Sequence, residues 1–209
     1  MGDHPQSQDD KPKKGGDGQK PPATPQGPGE STAETNGTFG SGVKKGITAH
    51  VQYSSSVGVV GCELADGALE RVAFFPGQPS CDNWCVKITN DNNGKSDYFL
   101  RIDGSTGAYD ISCKGYDFLL DRENPKGCET AGHEEWTVAD AEPENCRRFL
   151  KDGLMPTMTV NWPAECANSK TFGKGGPFRI KQLEGYQDQR CIGTSKEIKD
   201  PAYHAETLR

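Results

Sequence analysis

Polar and apolar positions divide the chain sharply. From Gly2 to Thr38 the only apolar residues are Ala23 and Ala33, and Pro, Gly, Gln, Lys and Asp fill the rest. Such a stretch buries too little surface to offset the entropy of ordering it, so residues 1–44 read as a disordered Pro/Gly/Lys-rich tail. After it the pattern changes to alternation. Ile47, Ala49, Val51 and Tyr53 fall on every second position, the mark of a half-buried strand. Val72 to Phe75 is a short apolar run closed by Pro76-Gly77. Val86/Ile88 and Tyr98/Leu100/Ile102 lie either side of Asn92-Asn93-Gly94, a hairpin signal. Trp136/Val138, Met158/Val160/Trp162 and Phe178/Ile180 predict further strands.

Two short helices interrupt the strands. Ser112 is positioned as an N-cap, with Cys113, Tyr116, Leu119 and Leu120 on one face behind it. A second helix opens at Pro143-Glu144 and closes on Arg147, Arg148 and Lys151 before Gly153, the order that caps and helix dipole favour. Many short strands with two helices predict a mainly β fold, a small barrel or sandwich. The domain is expected over 45–195, with 196–209 as a flexible C-terminus.

Cysteine content changes the picture most. Cys62, Cys81, Cys85, Cys113, Cys128, Cys146, Cys166 and Cys191 all lie beyond the tail. An even count through a Gly-rich β region predicts a disulfide framework. Zinc, the rival, wants close Cys/His pairs; only Cys81 and Cys85 are near each other, and His50, His133 and His204 are isolated. No metal and no cofactor is expected. Eight cysteines allow about 105 pairings, so connectivity stays open. Disulfides place the chain outside the cell. It carries no apolar leader, which suggests a mature form with its leader removed and Met1 supplied for expression.

Charge narrows the partners. The 209 residues carry a net charge of −6 with 32% apolar content, and mean hydropathy is −0.79. No dense Lys/Arg cluster offers nucleic acid a face. No run reaches the roughly 20 apolar residues of a membrane span. Lys11, Lys13 and Lys14 are offset by Asp9, Asp10 and Asp17. Asn36-Gly37-Thr38 is a glycosylation sequon, with Asn36 as acceptor. Gly173-Lys174-Gly175-Gly176 lacks the phosphate-loop frame and reads as a turn.

Three segments in order carry a resemblance: Ile47-Thr48-Ala49-His50-Val51-Gln52-Tyr53; then Cys85-Val86-Lys87-Ile88-Thr89-Asn90 with Gly107-Ala108-Tyr109-Asp110-Ile111-Ser112 leading into a helix; and Glu135-Trp136-Thr137-Val138-Ala139-Asp140 followed by Cys146. Together they resemble the double-psi β-barrel of the barwin, expansin and RlpA-like proteins. Val72 to Pro76 and Cys81-Asp82-Asn83-Trp84-Cys85 are similar to small cysteine-rich secreted fungal proteins of that superfamily. The resemblance covers roughly 44–146 and implies a six-stranded barrel, with the remaining cysteines tying down a C-terminal extension. It implies a secreted, expansin-like monomer that binds cell-wall polysaccharide or acts as an effector on a host protein. Related hydrolases and lytic enzymes use the matching Asp as a general acid, which makes Asp110 the catalytic candidate. Their second acid lies in the first strand, where this chain has none; Glu63, Asp66, Asp82 and Asp103 are the substitutes available. The rival role for Asp110 is structural, an acid placed ahead of a helix. For binding, the candidates are Trp84, Tyr109, Asp110 and Asp82; Trp136 and Trp162 read as core on periodicity. A protein-binding effector or inhibitor module is the third class.

Overall fold

A computed structural model describes residues 38–122 and 134–198. Asn36, Cys128 and His133, and the expected tail up to residue 37, lie outside them. Strands β1 (Val43–His50), β2 (Val72–Pro76), β3 (Cys85–Thr89), β4 (Ser96–Ser105), β5 (Tyr109–Ser112) and β6 (Glu134–Asp140) close into a barrel in the order β1-β5-β2-β4-β3-β6. The pairs β1·β5 and β2·β4 are parallel; β1·β6, β2·β5, β3·β4 and β3·β6 are antiparallel. Exchanging β1 with β4, β2 with β5 and β3 with β6 maps this set of pairings onto itself. Two interlocked halves of three strands therefore build the wall, the topology of a double-psi β-barrel.

Side-chain alternation gives the wall two apolar faces. Ile47, Ala73, Phe75, Val86, Ile88, Phe99, Ile111, Trp136 and Val138 fill the barrel, joined by Tyr116 and Leu119 of helix α1 (Cys113–Leu120). Val72, Phe74, Cys85, Leu100 and Ile102 face outward, under the Tyr53–Leu64 loop and the chain beyond β6. Outer residues of most small barrels meet water; here part of the wall is a second core. Trp84 sits in it, fully buried between Phe172 and Phe178 at ring-centroid distances of 5.5 and 5.2 Å.

The chain beyond β6 forms a parallel two-stranded sheet, β7 (Leu154–Thr157) with β8 (Arg179–Gln182), and a helical turn α2 (Asn161–Glu165). Bridges Cys62–Cys191, Cys81–Cys166 and Cys85–Cys146 staple it to the barrel. Cys113 is disulfide-bonded as well, and no described cysteine is free.

Several local expectations are corrected. Met158/Val160/Trp162 is not a strand: β7 ends at Thr157, and Asn161-Trp162-Pro163 starts α2, where Pro at an early helical position needs no amide donor. Pro143–Phe149 winds as a 3₁₀ helix. The Ser112 hydroxyl donates to the Glu70 carbonyl at 2.6 Å instead of capping α1. Phe39, read with the tail, is buried, and so is Ile198, read with the flexible end.

Candidate functional site

The register brings four side chains into one row across four strands. Thr48 of β1 pairs with Asp110 of β5, Asp110 with Phe74 of β2, and Phe74 with Asp103 of β4. Residues directly opposite each other in a sheet point to the same face. That face is the outer one, since Phe74 belongs to the outer core. The Thr48 hydroxyl donates to Asp110 Oδ1. His50, two residues after Thr48 and so on the same face, packs its imidazole against Phe74 at 5.1 Å between centroids, the planes tilted by 57°. Phe74 is thereby buried, while Thr48, His50, Asp103 and Asp110 stay half-buried and reachable from solvent.

Asp103 reaches the row through a β-bulge. Ala73 pairs with Arg101, but the next residue, Phe74, pairs with Asp103, so Ile102 is the extra residue. Without it Asp103 would follow the alternation set by Arg101 in the wrong phase; bulges commonly re-aim a side chain in this way. Once on the outer face, Asp103 accepts the Ser54 hydroxyl and, at 2.9 Å, the Gly104 amide. Ser55 and Ser56 hold the same loop, donating to the Ile102 carbonyl at 2.8 Å and accepting from the Gly104 amide at 2.9 Å. Behind them the Tyr53 hydroxyl donates to the Val59 carbonyl at 3.0 Å. Burial, with the Asp103 charge added, raises the Tyr53 phenol well above its ordinary value, so it stays a neutral donor. Asp103 and Asp110 are two strand spacings apart, about 9–10 Å between backbones.

One end of the row opens into a cleft of about 520 Å³ lined by Lys44, Lys45, Gly46, Thr48, Gly107, Ala108 and Tyr109. The ammonium of Lys45 lies 4.9 Å from the Tyr109 ring centroid. Tyr109 leans inward on Phe75 and Phe39, at 5.2 and 6.1 Å between centroids. Burial raises its phenol, partly countered by Arg101. Arg101 itself is wholly buried inside the barrel, donating to the Pro76 and Gly77 carbonyls at 2.9 and 3.2 Å. Burial lowers its pKa, with Asp140 opposing.

The sequence-derived candidates thus separate. Asp110 and Tyr109 stand at the row and its cleft. Trp84 offers no ring to a ligand, being buried beneath the extension. Asp82 is exposed away from the row and accepts the Thr171 amide at 2.8 Å, pinning the extension. Thr48, Ser54 and Phe74 are not candidates in the sequence; His50 reads there as a surface histidine that no spacing pairs with His133, and Asp103 only as one of four acids. The alternation shows which residues share a face within one strand. It cannot show which strands are neighbours or where a bulge falls.

No family model matches this chain, and no curated protein does. Among solved structures, that of the fungal elicitor cerato-platanin is similar over 50% of this chain and 96% of that one, at 18% identity and a TM-score of 0.33. No functional residue is carried across from it.

Proposed function

We propose that this chain is a secreted protein that binds an extended, uncharged polysaccharide along the row Thr48–Asp110–Phe74–Asp103, with His50 and Ser54 beside it, without cleaving it. The observation that carries this reading is the composition of the row. Two carboxylates accept, the hydroxyls of Thr48 and Ser54 donate and accept, and the His50 imidazole packed against Phe74 adds ring surface for the C–H face of a sugar. The row runs across four strands, which suits a chain-like ligand. Acidic groups within it disfavour polyanions. Its disulfides support an extracellular setting, such as a cell wall or a host surface.

A pull-down against insoluble chitin, β-1,3-glucan and cellulose, with released sugar measured in the same tubes, tests the reading. Retention without release is expected. Asp110→Asn should weaken retention about 10- to 100-fold, the loss typical of a hydrogen bond to a charged group, with the fold intact by circular dichroism. Retention by neither wild type nor variant would move the weight to a protein partner.

One observation favours a second reading, cleavage with inversion. The backbone spacing of Asp110 and Asp103 lies close to the roughly 6.5–9.5 Å that separates the two carboxyl groups of inverting enzymes. Asp110 would protonate the leaving oxygen and Asp103 would take the proton of the attacking water. Sugar release abolished by either Asp→Asn change would establish it over simple binding.

A further inference from the structure

Away from the row, the small sheet of the extension has one edge that the described residues leave open. β7 is covered on its far side. There the Val60 amide donates to the Pro156 carbonyl at 2.9 Å, the Met158 amide donates to the Gly58 carbonyl at 2.9 Å, and Val59 bridges to Thr157. β8 has β7 alone as a neighbour. Their parallel ladder runs from the Arg179 amide on the Gly153 carbonyl at 3.2 Å to the Leu183 amide on the Thr157 carbonyl at 2.7 Å. Amides alternate in direction along a strand, so Arg179, Lys181 and Leu183 turn theirs to β7, while Ile180 and Gln182 turn theirs to the outer edge. On that edge they meet no partner among the described residues. A row of unpaired main-chain groups is a template for a further strand.

The side chains decide which strand fits. From Lys170 to Gln182 the chain holds four cations, Lys170, Lys174, Arg179 and Lys181, and no acid, although the whole carries a net charge of −6. All four are exposed, and none forms an ion pair among the described residues. Elsewhere Lys44, Arg71, Arg148 and Arg190 are each answered by a carboxylate. Arg179 and Lys181 are two positions apart and so share one face of β8. A second copy of this chain adding through its own β8 would set like charges across the pair, which destabilises it. We propose that the outer edge of β8 captures an extended acidic segment of a partner protein as an added strand, its acids opposite Arg179 and Lys181. Main-chain bonds supply the affinity and the two cations choose the sequence, the division usual in strand addition. A polysaccharide offers no peptide ladder, so this edge is a second site, separate in chemistry from the row.

The test uses the whole chain and a fluorescein-labelled peptide alternating glutamate and valine, with a lysine–valine peptide as control. Anisotropy should rise with the glutamate peptide alone. Hydrogen exchange at the Ile180 and Gln182 amides should slow on binding, while that at Lys181, already turned to β7, stays as it was. Arg179→Gln with Lys181→Gln should weaken binding about 2- to 30-fold, the value of two cross-strand ion pairs. Gln182→Pro removes an outward donor and no bond to β7, a change edge strands tolerate, and should abolish the protection at Ile180. Unchanged exchange in the barrel verifies the fold of both variants. Equal binding of the two peptides, binding undiminished in either variant, or binding with Ile180 and Gln182 still exchanging would overturn the proposal. Heparin retained where the glutamate peptide is not would overturn it too, assigning the cations to a polyanionic glycan.

Discussion

At the scale of single residues, Asp97 shows how the surface of β4 is held. Its carboxylate accepts from Arg71 Nε at 2.7 Å, from Arg148 and from the Tyr98 amide at 2.8 Å. Burial alone would raise its pKa; the Arg71 hydrogen bond, the Tyr98 amide and the charges of Arg71 and Arg148 outweigh burial and hold it below the ordinary carboxylate value. A carboxyl depressed in the folded state stabilises fully above its unfolded pKa, about 3.9, and loses that stabilisation as pH falls through the lower folded value. Asp97→Asn should therefore cost about 1–3 kcal/mol near pH 7. Its stability should also fall less steeply than that of the wild type below about pH 4. Urea denaturation at pH 7 and pH 3 measures both; an unchanged acid slope would show that Asp97 is not the group responsible. Trp84 belongs at this scale too. A tryptophan between two cysteines suggested an exposed loop, but both neighbours' bridges draw the segment under the extension, where the ring packs on Phe172 and Phe178.

At the scale of elements, the β4 bulge decides the character of the outer face. Ile102 is fully buried there, and Asp103 follows it onto the row. Ile102→Ala removes the packing that seats the bulge and should cost about 2–5 kcal/mol, read from the shift of the urea midpoint. A cost below about 1 kcal/mol would mean that the loop serines, not packing, hold the bulge. Much at this scale was legible in the sequence. Apolar alternation located β1, β3, β4 and β6, and Asn-Gly located the β3–β4 hairpin, because period-two burial and turn chemistry are local properties. The tract Met158/Val160/Trp162 misled because Trp162 is buried by α2 and not by a strand, and two-residue spacing over five positions fits both. Asp110 was legible through the resemblance of its segment. Its company was not: Thr48, Phe74 and Asp103 stand 62, 36 and 7 positions away in sequence, and only barrel closure aligns them.

At the scale of the whole molecule, a pseudo-symmetric barrel carries two unlike outer regions. One is covered by the chain beyond β6 and stapled by disulfides; the other, left open by the described residues, holds the row. Cys62–Cys191 spans 129 residues of sequence. The remaining bridges already restrict much of that loop in the unfolded chain, so the double change Cys62→Ala/Cys191→Ala should cost about 2–4 kcal/mol. The open row should still bind, since it belongs to the barrel wall and not to the extension. Loss of binding with the barrel folded would place the ligand on the extension instead.

The most direct test of the central claim is a residue-by-residue map of binding. Amide resonances of the intact chain would be followed as a soluble neutral oligosaccharide is added, taken from whichever polysaccharide retains the protein. The row's reading predicts shifts gathered on Thr48, His50, Ser54, Phe74, Asp103 and Asp110, and their loss in Asp110→Asn. Shifts gathered on β7, β8 or α2, or a map unchanged by Asp110→Asn, would contradict it.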